Sequence, residues 1–347
     1  MKVSTQVLAT SAIAFTATAL AMPSMSKRVV DGTKVFGCFA SAFMKGEDAW
    51  TPECAAAAAT DFGFVREVSL GDFDIDFTST EPFSMPLTLP NLQVKLASIP
   101  GISWPIKKLA TRYNIIDNGV AVGMSEFPSS PTEVEGSMLK SNVGVAPLKA
   151  VPGYEDGFVN FIASLFAKPS HTFAIGGNVD IWYKVPSLSS GSESNGADSS
   201  KTLTATNIGI SAPVTVRGLD NLQRVEHVKL ESLTKDADSG VTTLVHTINV
   251  HNPSELSIKM GDLVFNLINA DEDVKGTITL LNVNLARGDN FMRATTTFTD
   301  SDIYDSLTSE SNTFTFAGFK GTAKHLVSDA VLSAYRSHLT IPKFEAA

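Results

Sequence analysis

A strand, a break at proline, a second strand and a glycine-punctuated run into a phenylalanine-rich strand occur twice in this chain, which restricts it to β architecture. The clearer copy is TTLVHTINVHNPSELSIKMGDLVFNL (242–267), with Asn252-Pro253 at the break. The looser copy is VREVSLGDFDIDFTSTEPFSMPLTLPNLQVKL (65–96), with Glu81-Pro82 there. Proline lacks an N–H and holds the preceding residue extended, so it ends one strand and turns the chain toward the next. Asn252 suits such a break because its side chain bonds nearby backbone. The polar residue differs between copies while the proline is kept, so Asn252, Pro253, Glu81 and Pro82 are read as structural strand breaks. Asn252-Pro253-Ser254 is no glycosylation acceptor, since proline occupies its middle position.

Alternation runs through both copies. Phe73, Ile75 and Phe77 interleave with Asp72, Asp74 and Asp76, which places the aromatics on one face and the carboxylates on the other, as in a half-buried, solvated edge strand. Leu244, His246, Ile248 and Val250 form a second such face. Further strands are predicted at Leu256 to Met260, Leu263 to Leu267, Ile278 to Leu285 and Thr313 to Phe316, and short helices at 158–167 and from Leu326 to Tyr335. Many short strands with Gly, Asn, Asp and Pro between them predict antiparallel sandwiches over α/β alternation. The repeat extends further on aligning Val134-Glu135-Gly136 with Val274-Lys275-Gly276, and 158–179 with 303–322. The first copy then carries an insertion at 97–122. Gly176-Gly177 is placed at a strand end. The expected organisation is a first β domain at 65–222 and a second at 223–347, with SLSSGSESNGADSSK (187–201) a mobile loop in the first.

The N-terminal region reads differently. Residues 1–21 carry Lys2, an apolar stretch and Ala19-Leu20-Ala21, the layout of a cleavable secretory signal; an uncleaved N-terminal anchor is the alternative. Residues 22–64 are expected to form a helical hairpin: Phe36, Phe39 and Phe43 have helical spacing, and Thr51-Pro52-Glu53 opens a second helix. Cys38 and Cys54 are the only cysteines, and in an oxidising compartment they are expected to form one disulfide across that hairpin.

Composition excludes some functions. With a net charge of −9 and a pI near 5.2 the chain is no nucleic-acid binder, and its longest basic cluster is Lys107-Lys108. The six histidines have no zinc spacing with Cys, Asp or Glu, and His246 on an apolar face is expected to be packed and hydrogen-bonded. No G-x-S-x-G, P-loop or G-x-G-x-x-G is present, so neither catalytic residues nor a cofactor are assigned. Three acidic groups, Asp236/Asp238, Asp271/Glu272/Asp273 and Asp300/Asp302/Asp305, sit in predicted turns and offer oxygen ligands of the kind calcium takes. None has a calcium-loop spacing, and they read as turn formers.

The run VHNPSELSIKMGDLVFNL, then VKG, LNVNLARGDN and FTFAGFKG, resembles the type-2 late-embryogenesis-abundant domain, the water-stress and hypersensitive-response module. With NIIDNGVAVG, GFVNFIASLF, TFAIGGNVDIWYK and ISAPVTVRGLDNLQRV in the first half, residues 60–341 are similar to fungal and oomycete proteins of unknown function that carry tandem copies of such a domain. The resemblance implies two fibronectin-like or immunoglobulin-like sandwiches, no known catalysis, and relatives held at the vacuolar membrane by an N-terminal helix with their tandem domains in the lumen. The expected function is therefore non-enzymatic: a secretory-pathway protein, secreted or in the vacuolar lumen, that binds lipid or another apolar ligand or associates with membrane. The many phenylalanines, 21 against 5 tyrosines, are the candidate cavity lining. A vacuolar-membrane anchor is the alternative localisation, with membrane contact through the N-terminal segment. The alternative function is a structural scaffold that presents loops such as 187–201 to a protein partner.

Overall fold

Long antiparallel strands dominate the computed structural model, which describes residues 65–96, 106–186, 200–300, 302–318, 325–333 and 335–344. The first half contains β1 (Val65–Ser69), β2 (Phe73–Asp76), β3 (Ser84–Leu96), β4 (Ile106–Asp117), β5 (Val120–Glu135), β6 (Met138–Ala150), helix α1 (Glu155–Ala167), β7 (Ser170–Pro186) and β8 (Ser200–Arg217). The second contains β9 (Val225–Lys235), β10 (Thr242–Asn252), β11 (Leu256–Ile268), β12 (Val274–Leu285), β13 (Gly288–Phe298), α2 (Ile303–Ser309), β14 (Asn312–Ala317), α3 (Leu326–Leu332) and β15 (Arg336–Ile341). All fifteen strands join one mixed sheet in the order β8-β7-β4-β5-β6-β3-β2-β11-β12-β13-β10-β9, with β1 on β3, and β14 between β11 and β15. The signal, the 22–64 hairpin, Cys38, Cys54 and residues 187–199 of the expected loop lie outside the described residues.

One pairing pattern is used twice. In the first half the neighbours run β3-β6-β5-β4-β7-β8, with α1 between β6 and β7. In the second they run β10-β13-β12-β11-β14-β15, with α2 between β13 and β14. Strand β1 flanks β3 as β9 flanks β10. β1 also lies against β8, and β15 against β9, so each half turns back on itself. This corrects the sequence alignment by one strand: β3 and β4 correspond to β10 and β11, and the supposed insertion at 97–122 contains β4. Glu81-Pro82 does separate two strands, β2 and β3, but β2 is an additional strand with no counterpart in the second half.

Strand β2 joins the halves. It pairs antiparallel with β3 and parallel with β11, from Leu256↔Phe73 to Lys259↔Asp76, the one parallel pair among the described strands. The amides of Phe73 and Phe77 donate to the carbonyls of Glu255 (3.0 Å) and Lys259 (2.7 Å). The edge part of the solvated-edge reading is therefore overturned, since β2 is interior to the sheet; Asp72 and Asp74 are exposed, and two of the three carboxylates face cations of the other half, Asp76 with Lys259 at 3.3 Å and Asp72 with Arg287 at 3.1 Å.

The apolar face of β2 enters the core. Phe73, Ile75 and Phe77 are buried, and Phe77 meets the rings of Phe166 on α1 and His325 before α3 at 6.0 and 5.8 Å. Helix α1 follows from its spacing, because Phe158, Phe161, Ile162, Leu165 and Phe166 make one buried stripe. Glu155 and Asp156 complement its N-terminal dipole, and Pro169 follows the extended Lys168 that ends it. Between the halves the chain turns through Asp220, Asn221 and Leu222, all left-handed with φ of 50, 55 and 45°. The Tyr335 hydroxyl donates to the Leu222 carbonyl at 3.2 Å across this turn.

A candidate apolar cavity and the other candidate residues

Inward-facing side chains of the first half do not fill the space they enclose. Leu92, Val94 and Leu96 on β3, Leu109, Thr111 and Tyr113 on β4, and Ile175, Val179 and Ile181 on β7 surround a partly open cavity of about 50 Å³, completed by Val68, Leu70, Leu89, Leu139 and Ile210. Alternation puts these residues inside, and bulges at Leu87/Leu89 and Leu89/Leu92 on β3 and at Val179/Ile181 on β7 shift which positions face inward. The exposed walls are carbon only. Two polar groups stand nearby. Thr111 Oγ1 is buried without a hydrogen-bond partner, and the Tyr113 ring stacks on Phe127 at 5.7 Å while burial raises its phenol pKa far above the usual tyrosine value. The lining thus holds no charge at neutral pH and presents an apolar surface.

The volume limits what enters in this state. An apolar cavity of about 150 Å³ accommodates benzene, so this one has room for a few carbons at most. No phenylalanine lines it. Phe77, Phe127, Phe158, Phe161 and Phe298 are all at or below 2% exposure inside the packed core, so the phenylalanines expected to line a cavity do not line this one, and branched aliphatics do so instead. Phe166 borders a separate cavity of about 80 Å³ beside Leu222, Val331 and Tyr335.

The strand-break residues carry hydrogen bonds, not an open site. Asn252 is fully buried; its Nδ2 donates to the carbonyls of Leu256 (2.8 Å) and Leu285 (3.1 Å), while its Oδ1 accepts from Ser254 N (2.9 Å) and Ser254 Oγ (2.7 Å). Ser254 Oγ in turn accepts from Leu256 N at 3.1 Å. Residues after Pro253 thus start β11 with their backbone groups already satisfied. The Glu81 carbonyl, at the other break, accepts from His325 Nε2 at 3.1 Å, and Ser84 O lies 3.3 Å from the same nitrogen. His325 Nδ1 accepts from Val327 N at 3.2 Å, capping α3. Those partners assign a proton to Nε2.

Two further histidine arrangements emerge. His246 is fully buried on β10, its Nε2 3.0 Å from Thr296 Oγ1, and its ring lies 5.5 Å from that of His227 on β9 with 12° between planes. His246 Nδ1 and His227 Nε2 have no partner. Burial, then the neighbouring His227, holds the His246 pKa down at about 4, and burial lowers that of His227. His171 Nε2 lies 3.1 Å from Asp117 Oδ1, both buried, with the Phe161 and Phe173 rings beside the imidazole. A separation of 54 residues hides that pair from spacing arguments.

The acidic groups serve as turns. Asp236 Oδ1 accepts from Ser239 N, Ser239 Oγ and Asp238 N; Asn269 Oδ1 accepts from Asp271 N and Asp273 N; and Asp300 bonds Asp302 N and Lys275. No group of three metal-ligating side chains is found among the described residues. No helix among them is long and apolar enough to cross a membrane.

Residues 154–267, from the start of α1 through most of β11, match the model of a family described as a protein of unknown function (DUF3712). That segment crosses from the first half into the second. No curated protein matches. Among solved structures, a protein of unknown function from Porphyromonas gingivalis W83 is similar at 11% identity, over 80% of this chain and 99% of that one, with a TM-score of 0.16.

Proposed function

We propose that this is a non-enzymatic binding protein of the secretory pathway that shelters an apolar ligand, such as a lipid acyl chain, in the cavity of its first half. The observation that carries the reading is a partly open cavity whose exposed walls are carbon alone. Such a lining favours hydrocarbon by removing apolar surface from water, at about 25 cal/mol per Å², and its exposed wall presents no polar atom. In this reading the two halves are tandem sandwiches of the late-embryogenesis-abundant type-2 kind; the repeated pairing order, with α1 and α2 at matching places, supports the tandem organisation, and the family rests on the sequence resemblance. A lumenal or secreted location accords with the secretory signal expected at residues 1–21.

The test is native mass spectrometry of the purified protein, together with displacement of cis-parinaric acid as a fluorescent probe. Co-purified lipid, and probe binding reduced at least tenfold by the cavity-filling change Leu139→Phe, are expected. Probe binding that Leu139→Phe leaves unchanged would place the ligand elsewhere and sink the reading.

A further inference from the structure

Lysines adjoin several residues of the cavity wall. The wall residues Leu96, Leu109, Leu139 and Ile181 lie toward the end of the first half where β3 and β7 finish and β4 and β6 begin: Leu109 pairs with Ile181, Leu139 with Val94, and the Leu96 amide bonds the Ser137 carbonyl. A lysine adjoins three of these four in sequence: Lys95 precedes Leu96, Lys107-Lys108 precede Leu109, and Lys140 follows Leu139. Two of the lysines are neutralised, Lys95 by Glu67 at 3.8 Å and Lys140 by Glu135 at 2.7 Å. Lys107 and Lys108 are exposed and have no ion pair among the described residues. A register shift between Ile106 and Lys108 in the β4·β7 ladder turns both lysines outward in succession, where strict alternation would send one of them inside. In a chain of net charge −9 this is an unneutralised double positive charge beside an uncharged apolar cavity.

We infer that the ligand is an anionic amphiphile, its hydrocarbon tail in the cavity and its carboxylate or phosphate head held at the rim by Lys107 and Lys108. This rests on the reading of the cavity as a ligand site. It adds head-group selectivity, which walls of carbon cannot supply. Lysine suits the task because its long apolar stem lies along the rim while the ammonium stays in water beside the head.

The experiment measures binding of dodecanoate, dodecyl phosphate and dodecanol, all below their micellar concentrations, to the full chain in low salt. The two anions are expected to bind at least tenfold more tightly than the alcohol. Raising salt to about 0.5 M should shrink that gap through screening, and Lys107→Gln/Lys108→Gln should abolish it while leaving dodecanol affinity unchanged. Comparing the two anions separates a fatty-acid-like from a phospholipid-like head. Equal affinity for all three, or anion affinity indifferent to the double substitution, would overturn the head-group assignment and leave the cavity reading standing. Binding of none would remove both. Anion binding that survives Leu139→Phe would mark adsorption to surface lysines and also overturn the inference.

Discussion

Asn252 shows how much one side chain does at a strand break: an amide donates to two carbonyls and accepts from Ser254, so β10 can end and β11 begin without an orphaned polar group. Asn252→Ala should cost about 3 to 5 kcal/mol, since several buried partners lose their bonds at roughly 1 to 3 kcal/mol each. Asn252→Asp should be no better, because a carboxylate cannot donate to Leu256 O and Leu285 O. Pro253→Ala, which chiefly frees the unfolded chain, should cost about 1 kcal/mol or less. Urea midpoints rank the three, and an Asn252→Ala midpoint equal to that of Pro253→Ala would refute the network's importance. His246 supplies a pH signature. The unfolded imidazole takes up its proton near 6.5, the folded one only at about 4. Between these values the unfolded chain holds more protons, so this contribution to stability is complete above about pH 6.5 and is lost as the pH falls toward 4. The loss is about 3 kcal/mol. His246→Leu should lack that part of the acid loss in urea titrations at pH 7.5, 5.5 and 4.5, and an unchanged pH profile would contradict the assignment.

Among the elements, β7 tests what backbone crowding costs. Gly176 and Gly177 lie in the middle of this strand, not at a strand end, and Gly177 stands opposite both Tyr113 on β4 and Ile210 on β8. A Cβ at Gly177 would collide with the Arg112 carbonyl, whereas one at Gly144 meets nothing within 4 Å. Gly177→Ala should therefore destabilise by about 3 kcal/mol and Gly144→Ala hardly at all, compared by thermal melts; similar melting shifts would show that β4 and β7 yield without cost. The same strands show which parts of the fold were legible. Period-two alternation marked β2 and β10, and the i, i+3, i+4, i+7 stripe marked α1, because each depends on neighbours within one element. Strand β4 was hidden because the shift between Ile106 and Lys108 sets two lysines side by side and breaks the alternation. The sequence splits β11 into two strands because Gly261, left-handed at φ 74°, interrupts the pattern of one continuous strand. The cavity's aliphatic walls were visible as alternation, yet whether opposing side chains meet or leave a gap depends on packing between strands far apart in sequence.

For the molecule as a whole, the decisive element is β2, the one strand that belongs to both halves. Its aspartates suggested an edge because local pattern reports which face is polar and says nothing of what pairs at the sides; Asp72 meets Arg287 and Asp76 meets Lys259 only through contacts some two hundred residues apart. These ion pairs are largely exposed and screened, so Lys259→Ala or Arg287→Ala should each cost under about 1 kcal/mol. The apolar side is worth more. Phe77, at 1% exposure between Phe166 of the first half and His325 of the second, should cost about 3 to 5 kcal/mol when cut to alanine. If the shared strand and this buried contact couple the halves, Phe77→Ala raises amide hydrogen exchange in both, in β5 and in β12 together, while Lys259→Ala leaves both near the wild-type level. Faster exchange confined to peptides of β1 to β8 would mean that the halves open separately and that β2 only tethers them.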